Sequence, residues 1–396
     1  MLRKPFLLTL LEAANMQRWN DKIRPVDLRE LDKQAHKMVI AYVLGRFEEE
    51  AGTPGFDWIR VIEGGLFEFL QRLVLTDLKP QLFHRIRADA ETYRRVNEFV
   101  YREIEPVIRS LGSGVCRRFR AYLGGRESDI NRKVLTAAHF CATRWEFAII
   151  ERANPGGYEI AEIRRDLDAQ LEKNAQLAGV QRLTLSPNLR DFVDLCGMLR
   201  FQIRWSHIHR VPRTSVLGHM LIVAILSYLF TLEIGGCRRR LVNNYFTGLF
   251  HDLPEVLTRD IINPVKRSVE GLDRIIRRYE REEMGKIYGL LPPSWREEMR
   301  LFTEDEFSTV VMVGKKRCAR TPEEVSRCFN DDRYQPRDGD IVRAMDDLAA
   351  FLEAQAASDN GIRNRKLDEA RAAIRKKYLN RTVCGVRLGD IFADFD

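Results

Sequence analysis

The sequence predicts an all-α protein made of two tandem, related helical units packed as a pseudo-dimer. Three observations carry this. Nearly every apolar pattern recurs at helical spacing, the patterns break at turn-forming clusters, and motifs of the first half return in the second. Helical spacing runs through residues 31–47, 61–75, 90–111, 132–152 and 160–177, then through 190–205, 215–232, 238–250, 270–290 and 341–357. Strand patterns are few and short. The breaks include Gly52-Thr53-Pro54-Gly55, Asn154-Pro155-Gly156-Gly157, Ser186-Pro187-Asn188 and Leu291-Pro292-Pro293, whose Gly, Pro and Asx residues favour turn geometry over helix. The stretch 154–187, rich in Asp, Glu, Arg and Gln, reads as a linker with a connecting helix between a unit at 1–153 and a unit at 188–396.

Length and composition agree with two ordinary domains. A chain of 396 residues exceeds one typical core. With 45% hydrophobic and 31% charged residues, 25 Gly and 14 Pro, both units can bury cores, and fibrous or disordered classes are excluded. The longest apolar stretches, at 220–231 and ahead of Trp19, are short enough to be buried helices, so no membrane span is expected. The apolar run that opens the chain ends at Glu12 with no small-residue cleavage site behind it, and it reads as the first core helix of a cytoplasmic protein. Seven dispersed cysteines without a C-x-x-C pair point to reduced thiols rather than a disulfide frame or a zinc knuckle. A net charge of +8 favours anionic partners. Basic residues are interleaved with acids, as in Arg277-Arg278-Tyr279-Glu280-Arg281-Glu282-Glu283, so nucleic-acid binding has no motif behind it.

The repeat is specific. Ala35-His36-Lys37-Met38-Val39-Ile40-Ala41 matches Gly218-His219-Met220-Leu221-Ile222-Val223-Ala224, and at the same spacing Gly65-Leu66-Phe67 matches Gly248-Leu249-Phe250. Upstream, Gln17-Arg18-Trp19 finds its counterpart in Ile203-Arg204-Trp205 after a three-residue shift.

The chemistry concentrates in the second half, in His219, the adjacent pair His251-Asp252, and a distant acid in Ile341-Val342-Arg343-Ala344-Met345-Asp346. Neutral imidazoles and carboxylates together suit one divalent transition metal: Mn, Co, Fe, Ni or Zn. Consecutive helical residues diverge by about 100°, so His251 and Asp252 reach one ion only near a helix end or with the ion between them. Asp347 competes with Asp346 for the last position. His207 and His209 read as surface residues.

These residues, together with Arg204-Trp205, Arg210, Glu255, Asp260 and Pro264-Val265-Lys266, resemble the HD superfamily of metal-dependent phosphohydrolases, and within it the bacterial HD-type 5'-deoxyribonucleotidases. The resemblance spans most of residues 190–357. It implies metal ligation by His219, His251, Asp252 and Asp346, catalytic or substrate-contacting roles for Glu255 and Asp260, and a substrate pocket holding Arg204 on phosphate with Trp205 at its wall. Glu255 is then the first candidate to position the attacking water, and Asp260 the candidate to protonate the leaving group or hold a sugar hydroxyl. Lys266, Arg210 and Arg213 are further basic candidates. Two departures stand out. Gly218-His219-Met220 occupies the family's Glu-His-Ser, which removes a carboxylate and a hydroxyl from beside the first histidine, and additional residues, including 302–336, lie between Asp260 and Asp346.

The first half keeps His36 in the repeat register but has Glu68-Phe69 in place of His251-Asp252, Arg72 in place of Glu255, and His139 where Asp346 stands. It reads as a degenerate copy. Either His36, Glu68 and His139 converge as a three-ligand site, or Glu68 and Arg72 form an ion pair along one helix. The expected activity is removal of phosphate from a nucleotide, a small phosphorylated substrate. The alternatives are hydrolysis of a nucleoside triphosphate, phosphodiester or signalling nucleotide, or a nucleotide sensor without turnover. Such a chain is a monomer with an internal pseudo-dimer, or a homodimer.

Overall fold

The computed structural model describes residues 1–76, 78–125, 129–258 and 272–396. It is all-α. The first half contains α1 (Lys4–Glu12), α2 (Glu30–Glu50), α3 (Trp58–Leu75), α4 (Pro80–Ala88), α5 (Ala90–Ile108), α6 (Ser113–Gly124) and α7 (Ile130–Ala153). Then come α8 (Ile160–Asn174), α9 (Ala178–Leu185) and α10 (Pro187–Met198). The second half contains α11 (Val216–Glu233), α12 (Arg238–Phe250), α13 (Glu255–Thr258), α14 (Leu272–Leu290), α15 (Arg296–Thr303), α16 (Pro322–Glu324), α17 (Gly339–Asp359), α18 (Arg365–Tyr378) and α19 (Gly389–Ala393). Two short antiparallel hairpins, β1 (Val310–Val313) with β2 (Lys316–Ala319) and β3 (Thr382–Val383) with β4 (Val386–Arg387), are the strands among the described residues.

The centre of the molecule is the packing of α2 against α11. Helix α11 is apolar on every side because every side is covered: α12, α17 and α2 pack around it. It is long and apolar enough to cross a membrane, and 89% of it lies inside the protein, as a central core helix does. One continuous hydrophobic core runs from Leu2 through Tyr42, Phe67, Leu226 and Phe250 to Phe395, joining both halves. Tyr42 of α2 sits in the middle of an aromatic group from the second half, 5.0 Å from Phe246 and 5.1 Å from Phe250 between ring centroids. Residues 154–187, expected as a linker with a connecting helix, pack onto the first half: Ile160 and Leu167 of α8 close a small core with Leu28, Phe147 and Ile150, and α9 lies on α2.

The halves match locally. A single antiparallel bridge joins Gln17 to Arg29 in one and Ile203 to Ser215 in the other, ahead of the long helix. Trp19 and Trp205, between the bridged residues, both have left-handed backbones, with φ of 59° and 57°. Helix α2 has 21 residues and α11 has 18, which places the three-residue shift of the repeat inside the central helix.

Two packing details set the position of the motif in the second half. A Cβ on Gly248 would lie 2.7 Å from Cα and 2.8 Å from N of Ala224, so glycine lets α12 approach the backbone of α11. Buried Asp338, just ahead of α17, accepts from Arg240 Nε at 2.6 Å and from Asn244 Nδ2 at 2.8 Å, which pins the start of α17 to α12. Gly248→Ala should cost about 1–3 kcal/mol, the usual penalty of overpacking. Guanidinium unfolding measures this, and an unchanged midpoint would mean that α12 can move away freely.

Candidate metal centre

His219 lies in the first turn of α11, where the N-cap Ser215 accepts from the backbone N–H of Gly218. His251 and Asp252 directly follow the last residue of α12, so the helix-end geometry required of an adjacent pair is present. Asp346 comes from α17. Among the described residues, His219, His251 and Asp346 offer ligand atoms that all lie within 4.8 Å of one another. His219 Nε2 is 2.9 Å from Asp346 Oδ1, and His251 Nε2 is 4.0 Å from the same oxygen. Asp252 Oδ2 lies 3.2 Å from His251 Nε2 and 4.0 Å from His219 Nε2, at the edge of the group. Asp347 turns away, to Lys377 and the Tyr378 hydroxyl.

The donor set fits a divalent metal. His251 Nδ1 is 2.9 Å from the Gly248 carbonyl, which can only accept, so Nδ1 carries the proton and Nε2 faces the cluster. That Nε2 is buried with no hydrogen-bond partner of good geometry. His219 Nδ1 faces Glu353 Oε1 at 3.5 Å, which leaves its Nε2 toward Asp346. A carboxylate behind an imidazole is the arrangement that orients metal-binding histidines.

Glu353, missed in the sequence, places a carboxylate beside His219, where residue 218 has none. It is wholly buried and accepts from Trp205 Nε1 at 2.8 Å, Thr214 Oγ1 at 2.6 Å and Arg204 Nε at 3.3 Å. Its spacing from Asp346, seven residues on one helix face, was the available signal. The packing also explains the glycine: a Cβ at residue 218 would meet Asp32 Oδ1 and Leu31 Cδ2 of α2, both at 2.9 Å.

The predicted substrate residues divide. Arg204 is at the centre, bound to Glu353 and 3.4 Å from Asp252 Oδ2, and Asp252, Asp346 and Glu255 add to the field of Glu353 that overrides the burial cost of its charge. Trp205 uses its indole N–H on Glu353. Arg210, expected at the substrate, is 1% exposed and braces the loop, donating to the Pro212 carbonyl at 2.8 Å and Thr214 Oγ1 at 2.6 Å. Glu255 opens α13, and its backbone carbonyl accepts from Gln202 Nε2 at 3.0 Å. Asp260 and Lys266 lie outside the described residues. The stretch between Asp260 and Asp346 adds Phe307, whose ring is 6.1 Å from that of His251.

In the first half, His36, Glu68 and His139 do not converge. His36 Nε2 is 3.0 Å from the Val193 carbonyl and its ring meets Trp145 edge-on. Glu68 pairs with Lys37 at 2.8 Å and accepts from Tyr122 at 2.8 Å, while Arg72 reaches Glu30 at 3.5 Å rather than Glu68. Buried Lys33 contacts His139 Nδ1. Counted from the bridged residues Arg29 and Ser215, Lys33 stands where His219 stands, and the longer α2 carries His36 away by nearly a turn. Glu146 repeats the role of Glu353, accepting from Arg18 Nε at 2.8 Å and Trp19 Nε1 at 3.0 Å, with Arg200 of the second half at 2.9 Å.

Burial alone would depress the His251 pKa, but Asp252, Asp346 and the Gly248 carbonyl together push it up to about 9. Below that pH the cation-free cluster holds a proton that a metal must displace, so binding should release a proton and tighten as pH rises, by about tenfold per unit between pH 6 and 8. Calorimetric titration with Mn²⁺ across this range tests it, and a pH-independent affinity would contradict it. Glu353→Ala should weaken metal binding by about 10–100-fold in the same titration.

No curated protein matches this chain. The model of the family described as the HD domain matches residues 196–375, the segment that brings His219, His251 and Asp346 together and carries Glu353, so this part of the chain is similar to HD domains.

Proposed function

We propose that this chain is a metal-dependent phosphohydrolase that removes phosphate from a nucleotide, with its centre in the second half. The carrying observation is that two buried imidazoles turn Nε2 toward a shared carboxylate, each with its Nδ1 facing an oxygen: the Gly248 carbonyl for His251 and Glu353 for His219. HD domains bind divalent metals, and His219, His251, Asp346 and Asp252 would hold one here. When bound, such an ion lowers the pKa of a coordinated water and polarises a phosphoryl oxygen. Arg204, held between Glu353 and Asp252, offsets charge on the phosphoryl oxygens. Glu255 positions the attacking water, and Asp260 and Lys266, by resemblance to the deoxyribonucleotidases, serve the leaving group and the phosphate. The preference for a nucleotide rests on that resemblance.

The two halves derive from duplication of one helical unit, in which the first copy lost its metal. The matched bridges, the left-handed Trp19 and Trp205, and the parallel roles of Glu146 and Glu353 support this. In this reading the Lys33 amino group fills the place beside His139 that a metal would take.

Metal-stripped protein resupplied with Mn, Co, Fe, Ni or Zn should release inorganic phosphate from nucleoside monophosphates. Asp252→Ala should abolish release, and Glu255→Gln should lower kcat by about 10²-fold or more. Turnover within a few-fold of wild type in Glu255→Gln would remove its water-positioning role. Metal analysis should find one ion per chain, and none in a His251→Ala, Asp252→Ala double variant. A second ion that survives this change would place a working site in the first half.

A further inference from the structure

We propose that Arg343 is a substrate-contacting residue of the metal centre, its guanidinium donating to the phosphoryl group of a phosphate monoester held there. This rests on the phosphohydrolase reading of the same site and adds to it a phosphate-binding cation that the sequence did not single out.

Arg343 stands one turn ahead of Asp346 on α17. Residues three apart on a helix are neighbours, with about 5–6 Å between their Cβ atoms, and helical side chains lean toward the N-terminus, so Asp346 leans toward the turn that carries Arg343. The cluster opens to solvent through its carboxylates. The side chains of His219 and His251 are buried, whereas those of Asp346 and Asp252 are 25% and 19% exposed. Arg343 is exposed and shares a helix face with Asp346, so it lines the approach by which a substrate meets the cluster.

The guanidinium is held beside Asp346 without pairing to it. Its central carbon lies 4.9 Å from the ring centroid of Phe307, and the Phe307 ring is 6.1 Å from that of His251, so one aromatic side chain is the common neighbour of the cation and a candidate metal ligand. The loop that carries Phe307 is built rigidly. Arg337 is wholly buried, and its guanidinium donates to carbonyls along the loop: to Leu301, to Glu304 at 3.2 Å, to Asp305 at 2.7 Å and to Ser308 at 2.8 Å. Gly339, the first residue of α17, leaves the space the loop occupies, since a Cβ there would lie 2.2 Å from the backbone of Phe307 and Ser308. Thr309 Oγ1 donates to Asp340 at 2.8 Å and accepts from the Asp340 N–H at 3.2 Å. Phe307 is thus fixed to the helix that supplies both Arg343 and Asp346.

A cation over an aromatic ring is attracted by the ring face and keeps its N–H groups for other partners. Among the described residues Arg343 makes no ion pair and no hydrogen bond. Arg204 differs, because it is already bound to Glu353 at 3.3 Å and to Asp252 at 3.4 Å. The carboxylates of Asp252, Asp346 and Glu353 therefore surround a committed guanidinium, and Arg343 is an uncommitted one at their edge. The planar fork of an arginine matches the oxygens of a phosphoryl group, which is the anion that a metal-dependent phosphohydrolase brings to this place.

The test titrates Mn²⁺-loaded protein with inorganic phosphate, metal content being measured in every sample. Arg343→Gln should weaken phosphate binding about tenfold or more, the worth of a charge-assisted hydrogen bond, with one ion per chain retained. Arg343→Lys, which keeps the charge but not the fork, should recover part of the affinity. Arg333→Gln is the control: Arg333 is also exposed and lies 4.6 Å from the ring centroid of Tyr334, but next to Asp332, which caps the start of α12, whereas His251 and Asp252 follow its other end about 20 Å away. Its phosphate affinity should stay within about twofold of wild type. An unchanged affinity in Arg343→Gln, an equal loss in Arg333→Gln, loss of the metal from Arg343→Gln, or no phosphate binding by wild type would each overturn the proposal. Turnover is read separately: wild type that binds phosphate through Arg343 but releases none from nucleoside monophosphates would end the phosphohydrolase reading and leave Arg343 as the anion contact of a metal site.

Discussion

A carboxylate sealed from water needs donors on every side, and Glu353 imposes that requirement on the second half. Burial disfavours its charge, while Arg204, Arg210 and His219 oppose that and hold its pKa well below the usual carboxylate range. An ionised group at this depth is tolerated only when its lone pairs are filled. Filling them organises the neighbourhood. The turn from Arg204 to Thr214 folds back so that Arg204, Trp205 and Thr214 all reach one side chain, and the Arg204 N–H donates to the Thr214 carbonyl at 3.0 Å to close the turn. The same carboxylate faces His219 Nδ1 at 3.5 Å, so the loop ahead of α11 and the first histidine of the candidate metal cluster meet at one group.

Glu146 places the same requirement on the first half, and the answer differs in one informative way. Arg18 and Trp19 fill two of its positions, as Arg204 and Trp205 do for Glu353, and Arg200 arrives from the other half. Where the second half gathers candidate metal ligands, the first half places lysines: Lys33 and Lys37 are both fully buried, with Glu30 and Glu68 nearby. Burial drives Lys33 well below its ordinary pKa, with Arg18 and Lys37 adding to the effect and Glu30 opposing it. The first half thus repeats the buried carboxylate with its Arg and Trp donors, and has lysine rather than imidazole beside it.

Close backbone approaches fix the remaining geometry. Gly218 admits α2, Gly248 admits α11 to α12, and Gly339 admits the loop bearing Phe307. Each brings a segment from elsewhere in the chain to the metal cluster at a distance no side chain would allow. The absence of a side chain at residue 218 goes with this packing, because α2 occupies the space beside it, while a carboxylate from α17 faces His219.

The sequence alone determined the helical class and singled out His219, His251 and Asp346, which the fold brings together, with Asp252 at their edge. Helical periodicity is local, and residue types suited to a metal are visible without coordinates. It also located the three-residue shift, but only the structure showed that the shift lies within α2 and brings Lys33, not His36, to the position of His219. Likewise Glu353, the burial of Arg210, and the arrival of Phe307 beside His251 were decided by tertiary structure. They depend on contacts between segments far apart in the chain, and whether a buried polar group is satisfied is settled only once its surroundings have closed around it.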